Sequence, residues 1–262
     1  MENKSSLAVR SHRWAVSPKR AAAIQNELRQ HWIGEDRFGK IRTVAGLDAA
    51  FVLVESQSLK SQSPKKRANP WKALQDANRA IGCVVMYRYP EMEEIDRAFA
   101  VLPLRFPYVP GFLSFREIPV LLAALAKLKT PPDLLFCDGQ GYAHPRRMGL
   151  ATHLGIVLDR PTIGCAKSIL IGTHGKLGER AGNWVPLLDS KSTGERIGAA
   201  LRTRAEVRPI YVSQGHRVSF ASAIRLTLSV TDGFRIPRPT RDADHFAGET
   251  KRQLLCGLLS EK

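Results

Sequence analysis

DLLFCDGQGYAHPRRMGLATHLGIVLDRPTIGCAK, residues 133–167, is the stretch that decides the fold. It begins with a short apolar run, DLLFCD (133–138), and ends with another, PTIGCAK (161–167). Runs this short and this apolar read as strands. Between them, residues 145–158 read as a helix opened by Pro145, because proline suits the first helical position. Asp138 then closes a strand of parallel type. In open sheets of that kind, ligands collect outside the carboxyl ends of the strands.

Upstream, PKRAAAIQNELRQHW (18–32) carries Ala23, Ile24, Leu28 and Trp32 at helical spacing. TVAGLDAAFVLV (43–54) reads as a buried strand, followed by strands at 81–89 and 96–104. A long loop, RFPYVPGFLS, leads into a helix over about 115–129. Downstream come strands near 184–189, 196–203 and 209–214, a helix over about 219–229, and a tail from 233. Strands with helical crossovers, then more strands, then a helix, predict an α/β fold with a mixed sheet. We expect a disordered N-terminus over 1–17 and a single domain over 18–250. Residues 55–79, rich in Ser, Gln and Lys, read as a basic insertion or loop, and 251–262 as a C-terminal tail.

The chain has 262 residues, 44% of them apolar, and a formal net charge of +16. A chain that basic usually meets a polyanion. Cys83, Cys137, Cys165 and Cys256 are scattered, without a Cys-x-x-Cys pair. That pattern argues against a zinc site or a disulfide framework. No secretory leader and no apolar run of membrane-spanning length is evident, so a cytoplasmic location is expected.

Three carboxylates stand out. Asp48 interrupts an apolar strand, where a lone charge is expensive to desolvate. The plain alternative is a salt bridge to one of the many arginines. Asp138 follows LLFC, and its alternative is an ordinary loop aspartate. Glu117 closes Ser114-Phe115-Arg116-Glu117, which has the spacing of a capping box. Carboxylates gathered at strand ends and a helix start suit magnesium, which takes hard oxygen ligands. In phosphodiester cleavage such an ion activates the attacking water.

The motifs then become specific. YVPGFLSFRE (108–117) resembles the Y-x-P-G-x-L-x-F-R-E signature of the endonuclease V family. DGQGYAHPRRMGLATHLGIVLDRPTIGCAKS (138–168) resembles its central block, and VAGLDAAF (44–51) its first. GHRVSFASA (215–223) and PRPTRDAD (237–244) resemble its later ones. The resemblance implies a ribonuclease-H-like fold and hydrolysis of the second phosphodiester bond 3′ to deoxyinosine, leaving 3′-hydroxyl and 5′-phosphate ends. It implies metal-site acids at Asp48, Glu117 and Asp138, a fourth acid at Asp244 with Asp242 as its rival, and an active-site lysine at Lys167. It also implies a loop histidine at His144, placed to contact phosphate or to shape the base pocket, with a helix N-cap as the plain alternative. Gly111, Gly139 and Gly141 permit close backbone approach to a base or phosphate, and Tyr108 and Pro110 are expected to form a wedge at the lesion. For His216 we expect a structural role. The cofactor implied is Mg2+, which Mn2+ can replace. The partner implied is DNA containing deoxyinosine, with inosine-containing single-stranded RNA as the alternative; no membrane and no obligate protein partner is expected. The competing readings are an inosine-directed ribonuclease and another nuclease of the ribonuclease-H-like fold.

Overall fold

The computed structural model describes residues 10–54, 75–191 and 194–257. Among them are eight strands in one sheet, ordered β3-β2-β1-β4-β5-β8-β7-β6, and five helices. The strands are β1 (Thr43–Val52), β2 (Arg79–Arg88), β3 (Glu93–Pro103), β4 (Leu134–Cys137), β5 (Thr162–Ala166), β6 (Trp184–Leu188), β7 (Arg196–Leu201) and β8 (Ile210–His216). The helices are α1 (Pro18–Arg29), α2 (Leu113–Leu125), α3 (Leu150–Leu158), α4 (Phe220–Ser229) and α5 (Arg238–Leu255).

β1, β4 and β5 run parallel, while β2, β3 and β6 to β8 join through antiparallel pairs. The order 3-2-1-4-5 with β2 reversed is the ribonuclease-H-like arrangement, so the mixed α/β sheet is present as expected. β4 and β5 are buried along their whole length because helices cover both faces. On one face Leu47, Val84 and Leu135 pack under Ile118 and Leu121 of α2 and Leu154 of α3. On the other face Val44, Phe136 and Ile163 meet Ala223 and Ile224 of α4 and Ala243 of α5.

Two strand glycines bring the helices close to the sheet. A β-carbon at Gly46 would lie 1.9 Å from the Pro239 carbonyl oxygen of α5, and one at Gly82 would lie 2.7 Å from the Val120 carbonyl of α2. Only glycine permits backbone approach of that kind. The two helices so drawn in are those that carry Asp244 and Glu117.

Several boundaries differ from expectation. The helix expected from Pro145 begins at Leu150 with Gly149 as its N-cap, and residues 145–149 form turns instead. Proline also suits a turn, and here the turn won. The expected tail from 233 contains the 18-residue helix α5, which crosses the boundary placed at 250; its Leu254 packs near Val52 and Ile81. The expected disorder of 1–17 holds no place for residues 10–17: Arg10 N donates to the Val157 carbonyl, and Trp14 packs against Phe115. Of the expected insertion, residues 55–74 lie outside the described residues. Cys83, Cys137 and Cys165 are buried free thiols, and Cys256 is free and exposed. Among the described residues no helix is long and apolar enough to cross a membrane.

Candidate active site

Asp48 and Asp138 stand on neighbouring parallel strands at the carboxyl end of their pairing. The β1–β4 register ends at Leu47 and Cys137, and Asp138 N donates to the Leu47 carbonyl at 3.2 Å. Lys167 follows β5 directly and reaches back over the same end. Its Nζ lies 2.6 Å from Asp138 Oδ2 and donates to Asp244 Oδ2 at 3.2 Å. Glu117 enters from α2 and is buried. Five of the expected residues thus converge from two strands, a strand end and two helices.

The capping-box reading of Glu117 fails. α2 has Phe112 at its N-cap with no side-chain cap, and the Ser114 hydroxyl bonds His153 Nδ1 instead, at 2.9 Å. Glu117 faces the acids. Burial pushes its carboxyl well above the usual range, and the charges of Asp48 and Asp138 push it further. Asp48 is driven up to about 8, first by burial and then by Asp138 and Asp244. Asp138 is raised by burial, with Lys167 pulling the other way. Burial would lower Lys167, but Asp138 and Asp244 hold its ammonium protonated.

Among the described residues no three His, Cys, Asp or Glu side chains are gathered at metal-holding distance. The donor set nevertheless fits a hard divalent cation. It consists of carboxylate oxygens, and burial and mutual repulsion raise the proton affinity of Asp48, Glu117 and Asp138.

Asp48 binds its proton more tightly folded than unfolded, so its contribution is full below its ordinary value and is lost as pH rises through about 8. In EDTA the melting temperature should fall between pH 6 and pH 9 by roughly 5 °C or more. Asp48→Asn should flatten that slope; a wild-type curve without the fall would contradict the raised carboxyl.

Asp244 and Asp242 occupy different surroundings. Asp242 Oδ2 accepts from the Tyr87 hydroxyl at 2.6 Å, with Arg238 and Arg241 each at 3.4 Å. Those contacts tie α5 to β2. Only Asp244 meets Lys167. Asp242→Asn should therefore lower the melting temperature and spare turnover, and Asp244→Asn should do the reverse. Thermal melts and single-turnover rates on both variants check this.

Beside the acids lies a cavity of about 440 Å³. Tyr108, Pro110, Gly111, Gly139 and His144 line it, together with Asp138 and Lys167. Tyr108 is half-buried and Pro110 exposed on its rim. Gly111 turns the chain with φ +79, a left-handed value that suits glycine. Gly141, expected in the lesion pocket, lies elsewhere. Its N–H donates to Ser213 Oγ at 2.8 Å, and a β-carbon there would lie 2.2 Å from the Gln214 carbonyl oxygen. Gly141 seats the loop on β8, and Gln140 lines the cavity in its place. Sequence reading also missed Ile169 and Leu170, which are exposed on the same rim; unpatterned apolar residues in loops carry no signal before folding.

His144 is neutral. Burial and then the Arg146 charge lower it to about 4. Its Nδ1 accepts from Arg146 N at 3.2 Å, so Nε2 carries the proton and donates to the Gly111 carbonyl at 3.1 Å. The neutral, buried ring lines the cavity. His216 is buried, accepts from Ile33 N and meets Asp159, in the structural role expected.

The family model for endonuclease V matches residues 71–245. A relative named Endonuclease V in Roseiflexus sp. strain RS-1 is 45% identical over 234 residues, covering 89% of this chain and 93% of that protein. The crystal structure of endonuclease V from Streptomyces avermitilis superposes with a TM-score of 0.77 at 36% identity, covering 92% of this chain and 96% of the other. Ciona intestinalis endonuclease V, solved in complex with a 24mer DNA containing an inosine followed by a ribo-adenosine, superposes with a TM-score of 0.71 at 27% identity, covering 90% and 98%. The chain belongs to the endonuclease V family.

Proposed function

We propose that the protein is a divalent-cation-dependent endonuclease that hydrolyses the second phosphodiester bond 3′ to deoxyinosine in DNA. The observation that carries this reading is the placing of Asp48, Glu117, Asp138, Lys167 and Asp244 beside a cavity bordered by the Tyr108–Gly111 loop. The Ciona relative's inosine-containing ligand supports the choice of lesion.

Asp48, Asp138 and Glu117 would hold Mg2+. When bound, the ion supplies an activated water and charge for the leaving oxygen. Lys167 presents a permanent positive charge at the strand end, suited to a phosphate oxygen. The neutral His144 and Gly111 form part of the cavity wall that would receive an unstacked base. Unstacking costs a few kcal/mol, and an aromatic-proline loop can offset part of that by stacking in the gap. Tyr108→Ala should therefore weaken binding to inosine-containing duplex about tenfold and to undamaged duplex far less. Equal weakening on both would make Tyr108 a general contact.

The test of function is cleavage of single strands of DNA and of RNA, each with and without inosine, in magnesium. Cutting of the inosine-containing DNA alone, or of both inosine-containing strands, fits the reading and sets its range. Equal cutting of strands without inosine would make the protein a general nuclease.

A further inference from the structure

We propose that Arg147 is a positioning residue for lesion recognition: it ties the hairpin between β6 and β7 to the loop that carries His144, and thereby sets the cavity wall at Gly111. The inference rests on the proposed reading of that cavity as the lesion site.

Arg147 has a buried guanidinium with every face engaged. Nη1 donates to the His144 carbonyl at 3.0 Å. Nη2 reaches Asp189 Oδ2 and Glu195 Oε2, each at 2.5 Å, and Nε donates to Glu195 Oε2 at 3.2 Å. Tyr142, in the same loop as Arg147, donates its hydroxyl to Glu195 Oε1 at 2.8 Å. Asp189 N donates to the Glu195 carbonyl at 2.9 Å, so the two acids flank one hairpin end.

The contacts continue to the cavity. His144 Nε2 donates to the Gly111 carbonyl at 3.1 Å, and Arg146 Nη2 donates to the same oxygen at 2.6 Å. Gly111 is the turn that presents Tyr108 and Pro110. An unbroken chain of polar contacts therefore runs from the β6–β7 hairpin through Arg147 and His144 to the wedge turn.

Two features argue against Arg147 being a mere strut. Its backbone has φ 58, a left-handed value that a side-chain-bearing residue keeps only where the surroundings over-determine it. The Arg147–Asp189 pair is largely buried, its side chains 9% and 11% exposed, while Glu195 closes the network from the surface; a buried ion pair is a poor means of gaining stability, since apolar packing of similar volume often does as well, and what it holds is geometry. Arginine's rigid fork can grip two carboxylates and a carbonyl together, and lysine's point charge cannot.

The experiment compares Arg147→Lys with Arg217→Lys. Arg217 is a matched control: it too is left-handed, with φ 55, and its Nε and Nη2 meet Asp159 at 3.0 and 2.5 Å. It follows β8, whose end pairs with the start of β5, away from the acids. Three quantities are measured: the affinity ratio for otherwise identical DNA strands with and without deoxyinosine, the imidazole NMR signals of His144 in DNA-free protein, and the melting temperature. We expect Arg147→Lys to cut the inosine preference about tenfold, as a small misplacement of a recognition group does, and to shift the His144 signals. Arg217→Lys should lower melting and leave preference and signals alone. Loss of stability in Arg147→Lys with preference and signals unchanged would overturn the proposal, as would equal loss of preference in both variants. If Arg147→Lys does not fold, Glu195→Gln, which leaves the Asp189 and His144 contacts in place, should show a smaller fall in preference; an unchanged preference there also overturns it. If the wild type shows no inosine preference, the proposed function fails, and the His144 signals still decide whether Arg147 sets that ring.

Discussion

Asp138→Asn should abolish cleavage, lowering the single-turnover rate by about a thousandfold or more, because a metal ion at such a site supplies several kcal/mol of transition-state stabilisation. The substitution keeps the side chain's shape and removes its charge. Burial already raises the Asp138 carboxyl, so its ionised form is costly to the folded chain without a cation. The same variant should therefore melt no lower than wild type in EDTA, the pattern of a site whose residues serve activity at some cost in stability. Inosine binding should persist, since His144, Gly111 and Tyr108 are untouched. A variant that cuts at a near wild-type rate in magnesium would remove Asp138 from the site. A variant that melts far below wild type would make its ion pair with Lys167 structural.

Glu117→Gln should lower turnover about a hundredfold, in the upper range for residues that support a metal site. Were Glu117 a helix cap, the change would cost about 1 kcal/mol of stability and leave activity alone. The structure has no side-chain cap at the start of α2, and it turns Glu117 towards Asp48 and Asp138. A neutral amide relieves that repulsion, so melting in EDTA should hold or rise. Unchanged turnover with lowered melting would restore the capping role.

The comparison of these two acids shows what could be read from sequence. Asp48 and Asp138 stand out because a carboxylate inside or just after an apolar run is costly, but a salt bridge and a loop aspartate explain them equally until the motifs single them out. Glu117 was ambiguous by spacing alone, since the Ser114–Glu117 interval fits a cap as well as a site. The ambiguity ended with a tertiary contact, Ser114 to His153, that no local pattern encodes. The central strands were legible because both their faces are covered, which leaves uninterrupted apolar runs.

Helix α5 was not legible, for a reason that lies in its packing. Its buried stripe is Pro239, Thr240, Ala243, Ala247, Thr250 and Leu254, at helical spacing but built mostly of small or ambivalent residues. Such a helix packs by close approach over Gly46, not by large apolar side chains, so it reads as polar tail. The fourth acid rides on that helix, which is why Asp242 and Asp244 were separable only once Tyr87 and Lys167 were seen to claim one each. Arg147 was invisible for a related reason: its partners, Asp189 and Glu195, lie more than forty residues away.

The acid cluster at the end of the β1–β4 pairing is proposed to cut DNA at a fixed distance from a base held in the adjacent cavity. The most direct measurement is single-turnover cleavage of a 5′-labelled DNA strand containing one deoxyinosine, in magnesium and in EDTA, with the product end mapped. One product is expected in magnesium, a 3′-hydroxyl strand that retains the inosine and one further nucleotide, and none in EDTA. Cleavage that persists in EDTA, or a cut that falls without regard to the inosine, would contradict the proposal.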